Sequence, residues 1–227
     1  MTTPVNLALH EQLLLLALHD EKGTAHTSMF SYAIAGAIIA ELLDTRRLRI
    51  EQHRRHATLV VANPSSTADP LLDECVQRVA TAPRPAAVST WVSRFAAIKE
   101  LKERIADRLC HRGILKRSED RVWWVFPRVV YPTADPAPED QIVATLHNAI
   151  ADDGEIDART AIVVALAHSA GILPHVLDRA LLQARAARIE TMVRMADVSG
   201  ATKDAIEGAR AAVMILAATT TVTPTRG

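Results

Sequence analysis

The chain has 227 residues, 49% hydrophobic, 23% charged and only 4% aromatic, and its 26 basic and 26 acidic residues balance to a formal net charge of zero. That balance excludes a protein that coats nucleic acid along its whole surface. The stretch Thr24–Ala40, free of Asp, Glu, Lys and Arg, falls short of the ~20 apolar residues a bilayer span needs.

Ala, Leu, Val and Ile supply most of the apolar content, which favours helices packed through small and branched aliphatic side chains. Arginine greatly outnumbers lysine, the usage of a GC-rich bacterial genome. Cys75 and Cys110 have no CxxC or Cys-His spacing and read as reduced thiols. Residues 1–12 carry neither the basic region nor the cleavage site of a secretory signal.

Asn6–Leu18 reads as a helix apolar on most of its circumference, through Leu7, Leu9, Leu13, Leu14, Leu16 and Leu18. After an Asp-Glu-Lys-Gly turn, Ser28 is placed to cap a second helix running to Leu43. Ala33, Ala35, Gly36, Ala37 and Ala40 are small enough for neighbouring helices to come close, so this helix belongs at the centre of a bundle. The period then changes: Arg47–Glu51 alternates and Thr58–Ala62 is β-branched and apolar, two short strands around the basic segment Gln52–Ala57.

Helices are expected over Asp69–Ala80, Ala86–Phe95 and Ile98–Arg112, the last with Ile98, Leu101, Ile105 and Leu109 on its core side and Gly113 as its stop. A second hairpin is read as Ile114–Lys116 and Val122–Phe126, turning at Ser118-Glu119-Asp120. Pro132–Pro138 reads as a surface loop. Helices then follow over Glu139–Ala151, Ala158–Ala170, Leu177–Met195 and Lys203–Ala217. The expected organisation is a short tail over 1–5, one mostly α-helical domain over 6–218 built around a central hydrophobic helix with short β-hairpins, and a flexible tail over 219–227.

Several segments, in this order, resemble the Golgi phosphoprotein 3 family. Leu7-Ala8-Leu9-His10-Glu11-Gln12-Leu13-Leu14-Leu15-Leu16 is similar to its opening motif, and Gly36–Leu42 with Arg47–Glu51 to its G-x-x-L-x-E-L and G-R-I/L-x-L-E segments. Leu71–Glu74, Lys102–Leu109, Gly113-Ile114-Leu115 and Ala165–Ala170 continue the match. The resemblance implies a mostly helical, non-catalytic fold whose eukaryotic members bind phosphatidylinositol 4-phosphate on membranes. Its headgroup site uses a Trp after the first helix, an Arg early in the second, and a basic pair one turn apart on a later helix. Lys99 and Lys102 match the basic pair, while His26 stands at the Trp position and Ala35 at the Arg position.

The residues themselves leave two readings for each cluster. Lys99 and Lys102 are either a two-pronged grip on a phosphate or the solvated face of a helix. Arg46, Arg47, Arg49, Arg54 and Arg55, with His53 and His56 interleaved, are either a docking face for an anionic surface or a hairpin paired with Glu41, Asp44 and Glu51. In Arg121–Arg128, alternation puts Trp123 and Trp124 on opposite faces, with Phe126 beyond. Those side chains read as an interfacial anchor, as the self-association hairpin that the resemblance implies, or as core.

His168 is expected to be a hydrogen-bonded core histidine, and Asp152–Asp157 a loop and helix cap rather than a calcium site. No phosphate loop, nucleotide fingerprint, zinc pair or nucleophile elbow occurs, so neither an enzyme nor a cofactor is expected. The combined expectation is a non-catalytic peripheral protein on the cytoplasmic face of a membrane. It would bind anionic lipid headgroups, with membrane-protein tails or a second copy as further partners and no nucleic acid. The alternative is a soluble protein–protein adaptor or oligomeric scaffold without lipid binding.

Overall fold

The computed structural model describes residues 6–18, 29–52, 57–122, 126–194 and 203–220. The first helix, α1 (Leu9–Ala17), buries Leu9, Leu13, Leu14, Leu15 and Leu16, which together occupy its whole circumference. Such a helix is stable only inside the protein. Ala8 at its N-terminus has no side chain to cap it, so Glu11 turns back to accept the Ala8 N–H at 2.9 Å.

Helix α2 (Phe30–Asp44) is the central element, buried continuously from Ala33 to Leu43. Met29 occupies its cap position with no side-chain capping bond, and Ser28, expected in that role, lies outside the described residues. Strands β1 (Leu48–Gln52) and β2 (Ala57–Val61), the two that the alternation predicts, pair antiparallel with Leu48 opposite Val61. Leu48 and Leu59 face the core.

Helix α3 (Pro70–Ala80) starts under an Asp69 cap whose carboxylate accepts the Leu71 N–H at 2.9 Å. The Ala86–Phe95 segment divides: strand β3 (Ala86–Ala87) joins the edge of β2, and only then does α4 (Val88–Ala96) begin. Helix α5 (Leu101–His111) is likewise shorter than the apolar period suggests. Glu100 sits in the left-handed region at φ 55° and separates Ile98 and Lys99 from the helix. Ile98 and Leu101 are both buried across this break, so a hydrophobic pattern cannot reveal it. Gly113, at φ 75°, ends α5 with its N–H on the Cys110 carbonyl and the Ile114 N–H on Leu109.

The second hairpin differs in register from its expectation. Strands β4 (Ser118–Val122) and β5 (Phe126–Val130) pair with Val122 opposite Phe126 and Ser118 opposite Val130. Ser118-Glu119-Asp120 is therefore strand rather than turn, and Val122 and Phe126 belong to different strands. The apolar end of β5, with Val130 buried, sets this pairing, and the Leu115–Thr133 bridge extends it.

Helices α6 (Ala137–Ala151), α7 (Ala158–Ser169) and α8 (Leu173–Val176) follow. Leu177–Met195 is not one helix but α9 (Arg179–Ala184) and α10 (Ala186–Arg194). The break falls at Arg185, whose side chain turns to the Ile150 carbonyl at 2.8 Å and to Asp153. Helix α11 (Lys203–Thr220) closes the order.

Helices α1, α4, α7 and α11 surround α2. The approach of α11 is close because Gly36 and Gly208 lack side chains: a methyl at Gly36 would overlap that of Ala212, and one at Gly208 would lie 2.7 Å from Leu43 and 2.9 Å from Ile39. The fold is mostly α with two small antiparallel sheets, as the sequence predicts.

Candidate functional site

Lys99 and Lys102 stand on either side of the start of α5. Lys99 is 90% exposed, and its nearest counter-charge is the adjoining Glu100 carboxylate at 3.4 Å. Lys102 lies in the first turn and is partly buried. No side chain caps this helix, so the positive end of its dipole adds to the two ammonium groups. Glu100 and Glu103 adjoin them, which leaves the local side-chain charge balanced. The two lysines are therefore not one turn apart on a regular helix; the left-handed Glu100 intervenes.

Behind Lys102 is Tyr131, at 1% exposure among the largest fully buried side chains. The Lys102 ammonium lies 6.0 Å from the centre of its ring. The Tyr131 hydroxyl donates to Asp107 Oδ1 at 3.2 Å, and Arg117 Nη1 approaches both Asp107 oxygens at 3.1 and 3.2 Å. Burial first, then the Asp107 carboxylate, push the phenol up to about 12. Neither Tyr131 nor Arg117 is singled out by a motif; Tyr131 follows a strand and Arg117 precedes one.

The hairpin arginines divide by task. Arg46 is exposed in the left-handed turn that ends α2 (φ 55°). Arg47 is tied to the Ser65 hydroxyl and to the Ser66 carbonyl, holding the loop after β2. Arg49 pairs with Glu51 across 2.5 Å on the exposed side of β1. Glu41 and Asp44, expected as partners of these arginines, instead receive Arg159 of α7 at 2.9 and 3.1 Å. Glu41 is buried and faces α1 and α7, away from the strand. His26, Arg54, Arg55, Trp123 and Trp124 lie outside the described residues. Arg121 and Phe126 have a described backbone only, opposite Pro127 and Val122 in the hairpin. Ala35, which the resemblance sets at the Arg position, is fully buried.

A second group of charges escaped the sequence reading. Glu11, 1% exposed, takes Arg108 Nε at 3.1 Å and Arg112 Nη1 at 2.8 Å. Glu41 takes the Leu9 N–H at 2.8 Å together with Arg159. Asp69 contacts His10 Nε2 at 3.3 Å and Arg108 Nε at 3.5 Å. The His10 ring is completely buried, and among the described residues neither nitrogen has a partner in hydrogen-bonding geometry. These contacts fix both ends of the assignment: the arginines of the α5 face hold the N-terminus of α1, so they are not available as a lipid-facing patch. A cavity of about 480 Å³ beside them is lined by Asp69, Leu71, Arg104, Asp107, Arg108 and His111. Its guanidinium groups are already matched, Arg104 by Glu74 at 2.6 Å and Arg108 by Glu11.

Two smaller expectations part company. Asp157 caps α7 by accepting the Thr160 N–H at 3.0 Å, as predicted. His168 is exposed rather than buried, because the continuous buried run of α7 stops at Ala167, just before the helix ends. Among the described residues no group of three His, Cys, Asp or Glu could hold a metal ion, and no helix is long and apolar enough to cross a membrane.

A family model described as Golgi phosphoprotein 3 (GPP34) matches residues 9–209, most of the chain.

Proposed function

The chain belongs to the Golgi phosphoprotein 3 family, a non-enzymatic one, and from that premise we propose that it is a peripheral protein that docks on anionic lipid headgroups at the cytoplasmic face of a membrane. The observation that carries this reading is the start of α5: two lysines, one of them 90% exposed, beside a helix N-terminus that no side chain caps. A phosphate there would exchange the weak Lys99–Glu100 contact for charge-assisted bonds from the lysines. Phosphatidylinositol 4-phosphate is the ligand that family resemblance suggests.

Docking of this kind is weak and salt-sensitive. Each basic residue near an anionic leaflet contributes about 1 kcal/mol. Lys99 and Lys102 are the cations that carry the proposal; Arg46, and Arg49 once it leaves Glu51, join it as exposed arginines of the hairpin, while Arg47 serves its own loop. The undescribed Arg54, Arg55, Trp123 and Trp124 belong to the proposal on sequence grounds alone.

Flotation with vesicles of phosphatidylcholine alone, with added phosphatidylserine, or with added phosphatidylinositol 4-phosphate tests the reading. The expected result is flotation with the anionic vesicles at low salt and its loss in Lys99→Glu/Lys102→Glu. Absence of flotation at low salt, or flotation unchanged in the double variant, overturns it and favours the soluble adaptor.

A further inference from the structure

The headgroup reading names two lysines; the structure adds what stands behind one of them. Tyr131 is immobilised at both ends, its ring buried and its hydroxyl tied to Asp107 at 3.2 Å. A lysine has four rotatable side-chain bonds, and ordering them on binding weakens affinity. A fixed aromatic face within about 6 Å attracts the ammonium through the ring quadrupole and narrows its range before any ligand arrives. The Lys102 ammonium is at that distance, 6.0 Å from the ring centre.

The same bracket holds a further cation. Asp107 engages Arg117 through both oxygens while accepting the Tyr131 hydroxyl. The guanidinium is 56% exposed, so its outer N–H groups remain open to solvent. Lys102 lies over the ring, and Arg117 reaches the hydroxyl edge through Asp107. The arrangement is a rigid aromatic–carboxylate platform with a cation at either side.

Resting on the lipid reading above, we propose that Tyr131 is a positioning residue that presents Lys102 to an anionic headgroup, and that Arg117, held by Asp107, is a third cation of the same site. Tyr131 touches no ligand in this scheme; Lys102 and Arg117 do. Burial of the phenol keeps it protonated, so the hydroxyl remains a donor to Asp107 throughout the neutral range.

The platform is testable without lipid. With five lysines in the chain, the Lys102 side-chain NMR resonances can be assigned by substitution. A ring-current displacement is expected in the parent protein, retained in Tyr131→Phe and abolished in Tyr131→Leu. No displacement in the parent protein removes the positioning role outright.

Partition onto phosphatidylinositol 4-phosphate vesicles as a function of salt tests the rest. Tyr131→Leu should bind several-fold more weakly, and Tyr131→Phe, which keeps the ring but loses the tie to Asp107, should fall between it and the parent. Arg117→Gln, at an exposed position that does not endanger folding, should weaken binding roughly fivefold with a shallower salt dependence. If the parent protein binds and Arg117→Gln and Tyr131→Leu bind equally well, the platform is wrong while the lipid reading survives. If the parent protein does not bind, the lipid reading fails, and with it the role of Arg117, whatever the resonances show. Should Tyr131→Leu fail to fold, the parent resonances and Arg117→Gln still decide.

Discussion

Glu41 Oε2 accepts the Leu9 backbone N–H at 2.8 Å, so the central helix caps the first helix from 32 positions away. The same carboxylate forks with Arg159 at 2.9 and 3.3 Å. One buried side chain thus joins α1, α2 and α7. Removing it should be costly: Glu41→Ala leaves a half-buried guanidinium with Asp44 as its remaining partner and an orphan N–H, and is expected to lower stability by about 2–3 kcal/mol. Glu41→Gln keeps an acceptor and should cost less, about 1–2 kcal/mol. Urea denaturation of the two variants checks both the size and the order.

Helix α11 meets α2 where Gly36 faces Ala212 and Leu166. A methyl at Gly36 would overlap that of Ala212 and lie 3.1 Å from Leu166. Gly36→Ala should therefore destabilise by about 1–3 kcal/mol, despite alanine's better helix propensity. Combining it with Ala212→Gly should restore part of the loss in thermal melts. If the single variant is neutral, α11 does not pack against α2 as described.

Acid should weaken the protein through Asp69. Burial alone would raise this carboxyl, but the His10 ring, the Leu71 N–H and Arg108 together hold it below its ordinary value. A depressed folded-state value means that the stabilisation is complete above the unfolded value and is lost as pH falls through the folded one. Asp73, lowered first by the Ser66 hydroxyl against its own burial, acts in the same direction. So does Glu74, where Arg104 and Arg78 outweigh burial. Unfolding free energy should fall steadily below about pH 4, and Asp69→Asn, which keeps the helix cap, should flatten that dependence. At neutral pH the same variant should be about 2–4 kcal/mol less stable. An unchanged acid slope in the variant would remove Asp69 from the account.

The two cysteines should differ in reactivity. Cys75 is completely buried and burial pushes its thiol far above the ordinary range. Cys110 is partly exposed and raised chiefly by burial, then by Asp107. Since the thiolate is the nucleophile, both should react slowly at neutral pH, Cys110 first and Cys75 only on unfolding. Alkylation followed by peptide mass analysis resolves the order.

The helices were legible where a buried stripe and a boundary signal coincide, as at the Gly113 stop and the Asp157 cap. The break at Glu100 was not, because Ile98 and Leu101 keep facing the core on either side of it. The register of β4 and β5 escaped for a related reason: a run of valines and aromatics states that strands exist and not which residues pair. Of the candidate site, Lys99 and Lys102 could be named from the motif order alone. Tyr131, Asp107 and Arg117 are up to 29 residues from Lys102 in sequence, and no spacing rule joins them.

Composition and apolar period by themselves determined the class of this protein, a helical bundle around an alanine-rich central helix, because burial of a whole helix circumference leaves no other place for it. Ordered motifs determined the family. What only the tertiary structure decided is the use of the charges. An arginine's role depends on which carboxylate it meets, and those carboxylates come from remote segments: Glu11 for Arg112, Glu41 for Arg159, Asp107 for Arg117. Charge pairs form through space, at contact distances that sequence separation does not encode. The arginines of the α5 face thereby became part of the scaffold, holding α1 and α3 to α5.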